Sequence, residues 1–224
     1  KEKIENNLKD TSIIKTKRIG KYLFLILDKK NILVLHFGMT GNIKYFKNKS
    51  EEPSHTRLLL TFSNNYHLAY DCQRLFGLVT LTKNITDYIQ KKKLGVDALN
   101  INKKYFLDQI ENRSTNIKSF LMNQKIISGI GNIYADEILF QSRIHPEKKC
   151  KLLTQKQKEI IYENILYVLQ TAVDHNAIIQ QYPESFLLPH RRKDNLCPLN
   201  KNHEFNIIKI AGRTTYYCPK HQKK

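Results

Sequence analysis

The sequence predicts a multidomain α+β protein, in which an antiparallel β region, a helical region and a small basic terminal hairpin follow one another. Three observations carry this reading: strand-like patterning from Ile13 to Leu81, helical spacing of apolar residues after Thr82, and a cationic tail from Arg191 onward with too few apolar side chains to close a core unaided.

Short apolar runs over 22–27, 32–37, 41–46, 57–62 and 66–69 are separated by turns rich in Lys, Asn, Gly and Ser. The segments 28–31 and 63–65 have hairpin-turn chemistry, so the region reads as an antiparallel sandwich or barrel. Beyond Thr82, helices are expected over 103–112, 117–123, 132–141 and 154–173. In the last of these Ile160, Ile161, Asn164, Ile165, Val168, Leu169 and Ala172 form an inward stripe, with Thr154 as N-cap and Gln157 three residues on. Gly129 and Gly131 interrupt the run between Ile117 and Gln141. The expected divisions are 1–82 for the β domain, 83–190 for the helical domain with its linker, and 191–224 for the hairpin.

Lys and Arg number 38 against 20 for Asp and Glu, a formal net charge of +18 that creates an attractive field for a polyanion. Nucleic acid is therefore the first partner to weigh, against the blander reading of lysines spread over solvated faces. No stretch has the ~18 apolar residues of a membrane span, and the expected setting is soluble and intracellular, in a DNA-containing compartment. Four cysteines at irregular spacing do not suggest a disulfide scaffold.

The tail from Arg191 carries nine Lys or Arg residues against Asp194 and Glu204, so something besides a core must hold it together. Cys197, His203, Cys218 and His221 are the candidates, as four sulfur and nitrogen ligands suit one tetrahedral Zn²⁺ per chain. The five-residue interval between Cys197 and His203 is looser than the usual knuckle. The competing reading is two inert cysteines with surface histidines.

Several stretches, in order along nearly the whole chain, resemble one family. Ile19-Gly-Lys21-Tyr-Leu is similar to the opening of an early strand, and Leu35-His36-Phe-Gly38-Met39-Thr-Gly41 resembles a Leu-His-Leu-Gly-Met-Ser-Gly segment. Residues 117–124 lead into Gly129-Ile-Gly131-Asn132-Ile-Tyr-Ala-Asp136-Glu137 and then Ile144-His145-Pro146. That run resembles the helix-two-turn-helix element of formamidopyrimidine-DNA glycosylases and endonuclease VIII enzymes, and Ala211-Gly212-Arg213-Thr-Thr-Tyr-Tyr-Cys218-Pro resembles their zinc-finger hairpin. The resemblance implies an antiparallel β-sandwich, a helix-two-turn-helix domain and a C-terminal zinc-finger β-hairpin, in a monomer that binds damaged double-stranded DNA.

It also implies residue roles. Lys21, His36, Asn132 and Arg213 would contact the DNA backbone, with Lys21 an auxiliary to strand cleavage. Met39, Arg74 and Phe76 would fill the void left by an extruded nucleotide, which for a base in a duplex is the usual route to chemistry. The segment Asp71-Cys72-Gln73-Arg74-Leu75-Phe76-Gly77 is one residue longer than the family's Asp-Pro-Arg-Arg-Phe-Gly, leaving open whether Arg74 or Gln73 faces the orphan base. On charge alone Lys21 and Arg213 read as ordinary surface cations, and Met39 on a sheet as core.

The family's reaction uses an N-terminal proline amine that attacks the sugar C1′, displacing the damaged base as an iminium forms, with an adjacent glutamate moving the proton. Residues 1–3 supply no such pair, and Glu2 is not assigned the acid's role. The expectation is that a first strand and helix precede this stretch in a longer parent, that the parent is a bifunctional glycosylase and abasic-site lyase, and that the sequence as it stands binds DNA without normal turnover. Oxidised purines are the favoured substrates. Oxidised pyrimidines are the alternative, because the segment 174–185 lacks the Gly-Gly-Thr/Ser loop of many purine-specific relatives. A non-enzymatic binder of damaged DNA and a zinc protein holding RNA without specificity are the remaining classes.

Overall fold

The computed structural model describes residues 2–192 and 194–224, the side chains of Glu2 and Lys3 excepted. The stretch 1–3 considered above for the amine and acid therefore lies outside the described side chains. The chain forms two compact units, Lys1–Lys92 and Lys93–Lys224.

The first unit opens with α1 (Glu2–Leu8) and continues through β1 (Ile13–Ile19), β2 (Tyr22–Leu27), β3 (Ile32–His36), β4 (Gly41–Phe46), β5 (Thr56–Thr61), β6 (His67–Cys72) and β7 (Leu78–Thr82) to α2 (Ile85–Lys92). Its strands make two antiparallel sheets, ordered β1-β2-β3-β7 and β4-β6-β5. The unbroken apolar runs of β2 and β3 are buried on both faces, the usual reason a strand lacks alternation. Leu25, Leu33 and Leu35 pack inward with Tyr70 and Cys72 of the other sheet, while Phe24 and Val34 pack outward against Tyr88 of α2. Two of the turns use left-handed backbone, at Lys30 (φ 59°) and Asn65 (φ 62°).

One margin of this sandwich is open. Ile43 and Tyr45 of β4 lie opposite Tyr70 and Leu68 in register, which places them on the inward face, yet they are 38% and 55% exposed. Beside them a groove of about 490 Å³ is lined by Arg18, Lys21, Leu23, Phe37 and Ile43, among others.

The second unit contains β8 (Val96–Asp97), α3 (Lys103–Ile110), α4 (Ile117–Leu121), β9 (Ile127–Ser128), α5 (Asn132–Gln141) and α6 (Gln155–Asp174). β10 (Leu196–Cys197) pairs with β11 (Asn200–Glu204), and β12 (Asn206–Ile210) pairs with β13 (Arg213–Tyr217). The helix starts follow from side-chain caps: Asn102 accepts from Tyr105 N, Asn116 from Ser119 N, and Thr154 forms a reciprocal capping box with Gln157. α5 is the central helix, buried from Ala135 to Phe140, Asp136 and Glu137 included. The turn before it requires glycine at 129 (φ 118°) and is clamped by Gln124, whose amide nitrogen donates to Met122 O and Ile130 O and whose oxygen accepts Gly129 N.

The C-terminal hairpin belongs to this same unit. Ile210, Tyr217 and Cys218 are buried, Gln222 donates to Ile144 O at 2.9 Å, and Lys223 O accepts from His145 N at 2.9 Å. Tertiary packing thus supplies stability that the tail's own composition could not.

Candidate nucleic-acid interface

Two neighbouring loops in the first unit, 37–41 and 73–77, carry the side chains expected to fill a void in a duplex. Met39 is 59% exposed and Phe76 62% exposed, and the Arg74 guanidinium lies over the Phe76 ring at 5.6 Å. Large apolar side chains exposed close together, rather than scattered singly, mark a surface for a partner. The backbone beneath them is tightly fitted. A Cβ on Gly38 (φ 61°) would meet Phe76 C at 2.6 Å, and one on Gly77 would meet the Tyr70 hydroxyl at 1.7 Å. Tyr70 OH donates to His36 O at 2.9 Å, and Arg74 N donates to the Thr40 hydroxyl at 3.2 Å. Leu75 in this loop has left-handed backbone (φ 55°). Cys72, where the family pattern has proline, is buried at the loop's base.

Lys21 follows Gly20 (φ 57°) at the turn from β1 to β2 and is exposed. His36 ends β3 opposite Tyr22, with the two rings 4.8 Å apart. Its Nδ1 accepts Gly38 N–H at 3.1 Å, which leaves the ring proton on Nε2. Burial, then the charges of Lys21 and Lys92, pull the His36 pKa below its ordinary value. A neutral imidazole whose Nε2 keeps its proton, in the field of two ammonium groups, is suited to donate to a phosphate oxygen.

In the second unit, Asn132 is the first residue of α5, with its side-chain nitrogen donating to Thr214 O of β13 at 2.9 Å. Among the described residues its buried Oδ1 has no hydrogen-bond partner. Arg213 stands exposed after the turn made by Ala211 (φ 48°) and Gly212 (φ 72°), and a Cβ at Gly212 would meet nothing within 4 Å, so open space surrounds the hairpin tip. Asn132 and Arg213, separated by 81 positions, are thereby brought to the same corner of the unit.

The expected metal ligands meet only in pairs. Cys218 Sγ lies 3.9 Å from His203 Nδ1, and the Cys197 thiol sits against Cys218, with burial pushing the Cys197 pKa up. His221 places Nε2 3.1 Å from Phe140 O, so that N–H faces a carbonyl and Nδ1 remains for another partner. An outer carbonyl of this kind is how metal-ligating histidines are commonly oriented. Among the described residues no three such side chains converge tightly enough to form a metal cage. Two thiols and two imidazoles are a donor set whose chemistry fits zinc.

The formamidopyrimidine-DNA glycosylase N-terminal domain family matches residues 1–79, and the formamidopyrimidine-DNA glycosylase H2TH domain family matches residues 94–183. The formamidopyrimidine-DNA glycosylase of Mycoplasma mobile is 30% identical over 235 residues, covering 99% of this chain and 85% of that protein. The enzyme of the same name from Ureaplasma parvum is 32% identical over 234 residues, covering 97% and 84%. The chain belongs to the formamidopyrimidine-DNA glycosylase family. Among solved structures, a Lactococcus lactis member of the family in complex with FAPY-dG containing DNA superposes with a TM-score of 0.89 at 27% identity, covering 100% of this chain and 86% of that one. A further structure, described as MutM in complex with carbocyclic 8-oxo-G containing DNA, gives 0.88 at 27% identity.

Within the glycosylase fold, a group of side chains that sequence reasoning did not single out holds the second unit's corner together. Lys118 and Asp136 are fully buried and in contact at 2.6 Å, Arg191 joins Asp136 at 2.8 Å, and Glu137 lies beside them with no exposed surface. Burial pushes the Asp136 carboxyl up and the Lys118 ammonium down, and their mutual contact opposes both shifts. The available signal was the presence of Lys118, Asp136 and Glu137 in otherwise apolar helical runs. Their partners, up to 97 positions away, could not be read from spacing.

Proposed function

We propose that this glycosylase-family chain acts in base-excision repair, gripping damaged double-stranded DNA for release of oxidised purines, 8-oxoguanine and formamidopyrimidines, with cleavage of the strand at the resulting abasic site. The observation that carries the reading is the pair of locked loops presenting Met39, Arg74 and Phe76 to solvent. Inserting apolar side chains into a base stack costs a few kcal/mol per step, and contacts to the bent backbone offset it. Lys21, His36, Asn132 and Arg213 are the backbone contacts in this reading. They fix register and orientation while carrying no sequence preference.

The adding amine and its acid are assigned to no residue of 1–224. Lys21 is an auxiliary whose ammonium would stabilise phosphate charge during strand cleavage. Cys197, His203, Cys218 and His221 would hold one Zn²⁺, which supplies structural cross-linking of the hairpin and no chemistry at the base. The protein is proposed to act as a monomer wherever the cell keeps its DNA. Among the described residues no helix is long and apolar enough to cross a membrane.

The test is an incision panel with the natural full-length polypeptide, using duplexes that each carry one oxidised purine or one oxidised pyrimidine. Preferential release of 8-oxoguanine and formamidopyrimidine supports the proposal. Preference for thymine glycol would move the substrate to the pyrimidine class, and lesion binding with no base release would make the protein a damage binder.

A further inference from the structure

We infer that Arg191 and Asp136 form a latch that fixes the register of β13 against α5, making them positioning residues for Arg213. Three consecutive residues of β13 are held from its α5-facing side. Thr214 O accepts from Asn132 Nδ2 and from Arg191 Nη2, each at 2.9 Å. Thr215 Oγ1 accepts from Lys118 Nζ at 2.6 Å and donates back to Arg213 O at 3.2 Å. Tyr216 N donates to Asp136 Oδ2 at 3.2 Å. The same carboxylate oxygen accepts Arg191 Nε at 2.9 Å and Nη2 at 2.8 Å, while Oδ1 meets Lys118 Nζ at 2.6 Å. The guanidinium also lies 4.6 Å from the centre of the Tyr216 ring.

One buried carboxylate therefore gathers two cations and a strand amide, and none of these groups belongs to the cysteine-histidine cluster. Buried ion pairs contribute little net stability relative to apolar packing, and their best-attested use is to specify a single register. Arg is the residue that can serve here, because its planar fork engages Asp136 through two nitrogens while still reaching Thr214 O. Since β13 begins at Arg213, holding residues 214–216 determines where the Arg213 side chain starts. Asn132 shares the Thr214 carbonyl with Arg191, so the latch also ties together the two backbone-contacting residues of this unit.

This inference rests on the proposed DNA-contacting role of Arg213, and the experiment separates the two. Arg191→Ala, Arg213→Ala and the double variant are prepared as full chains alongside wild type. Affinity is measured for a duplex carrying one abasic-site analogue and for its undamaged counterpart, and amide hydrogen exchange is followed across residues 213–217. Arg191→Ala is expected to speed exchange at the Tyr216 amide and to weaken abasic-duplex binding roughly tenfold in the wild-type background, but less than about twofold once Arg213 is gone, as coupled neighbours behave. Arg191→Lys, which keeps charge and loses the fork, should recover little of the lost affinity. Unchanged exchange, or additive losses in the double variant, would overturn the latch. Absence of any wild-type preference for the abasic duplex would instead sink the functional proposal, with the exchange data still judging the latch.

Discussion

Glu137 offers the sharpest test of how the centre of the second unit is held. Its Oε1 accepts Leu187 N at 3.0 Å and the Gln141 amide at 2.8 Å, and its Oε2 accepts Leu188 N at 2.7 Å, pinning the segment that leads to Arg191. Burial raises the carboxyl from its ordinary 4.5 to about 7, against the pull of these donors. Ionising it in the folded protein therefore costs roughly 3 kcal/mol more than in the unfolded chain. Because the folded pKa lies above the unfolded one, this contribution to stability is complete below about pH 4.5 and is lost as pH rises through about 7. Glu137→Gln cannot ionise. It also turns an NH₂ toward at least one backbone N–H that previously had an acceptor, a fixed loss of about 1–3 kcal/mol. Urea unfolding of both proteins at intervals from pH 5 to pH 8 isolates the group, since other titrations cancel in the difference. The wild type should lose roughly 2–3 kcal/mol relative to the variant across that window. A difference that stays flat, or that moves in the wild type's favour as pH rises, would show that the three N–H donors keep the carboxylate charged throughout and would refute the argument.

Other consequences follow from particular contacts. Gly77→Ala drives a methyl into the Tyr70 hydroxyl, 1.7 Å from the ideal Cβ position, and should cost about 1–3 kcal/mol in urea unfolding, with partial recovery when Tyr70→Phe is added. Thr154→Ala removes the capping box of α6 and should lower stability by ~1 kcal/mol, read as a fall of a few degrees in Tm; an unchanged Tm would mean the cap is dispensable. Metal analysis of chelator-free protein should give one zinc per chain, and chelation should expose Cys197 and Cys218 to alkylation, two thiols that are otherwise buried. Metal content far below stoichiometric, with both thiols equally slow to react before and after chelation, would remove zinc from the account.

Much of the fold was legible in local pattern. The apolar runs of β2, β3 and β4, the turns at 28–31 and 63–65, and the Thr154 cap with its Gln157 partner are short-range features, and the structure has them where periodicity and turn chemistry put them. Other elements were missed for equally local reasons. β1, Ile-Ile-Lys-Thr-Lys-Arg-Ile, carries too many lysines to stand out, and α2 is a short helix whose inward anchor is Tyr88. The candidate interface was readable only as separate motifs. Met39, Arg74 and Phe76 come from loops more than thirty residues apart, and the sequence does not contain the distance between them.

What the sequence by itself determined was the kind of chemistry available: an excess of cations, glycines where the backbone must turn or approach closely, and two cysteines and two histidines clustered near the end. Tertiary structure alone decided which groups meet. The apolar run of α5 reads like any core helix until Asp136 is seen between Lys118 and Arg191, and the hairpin reads as too poor in apolar residues to stand until it is seen packed on that helix. The physical reason is range. Propensity, capping and turn geometry act over a few residues, whereas burial of charge has meaning only once distant segments have closed around it.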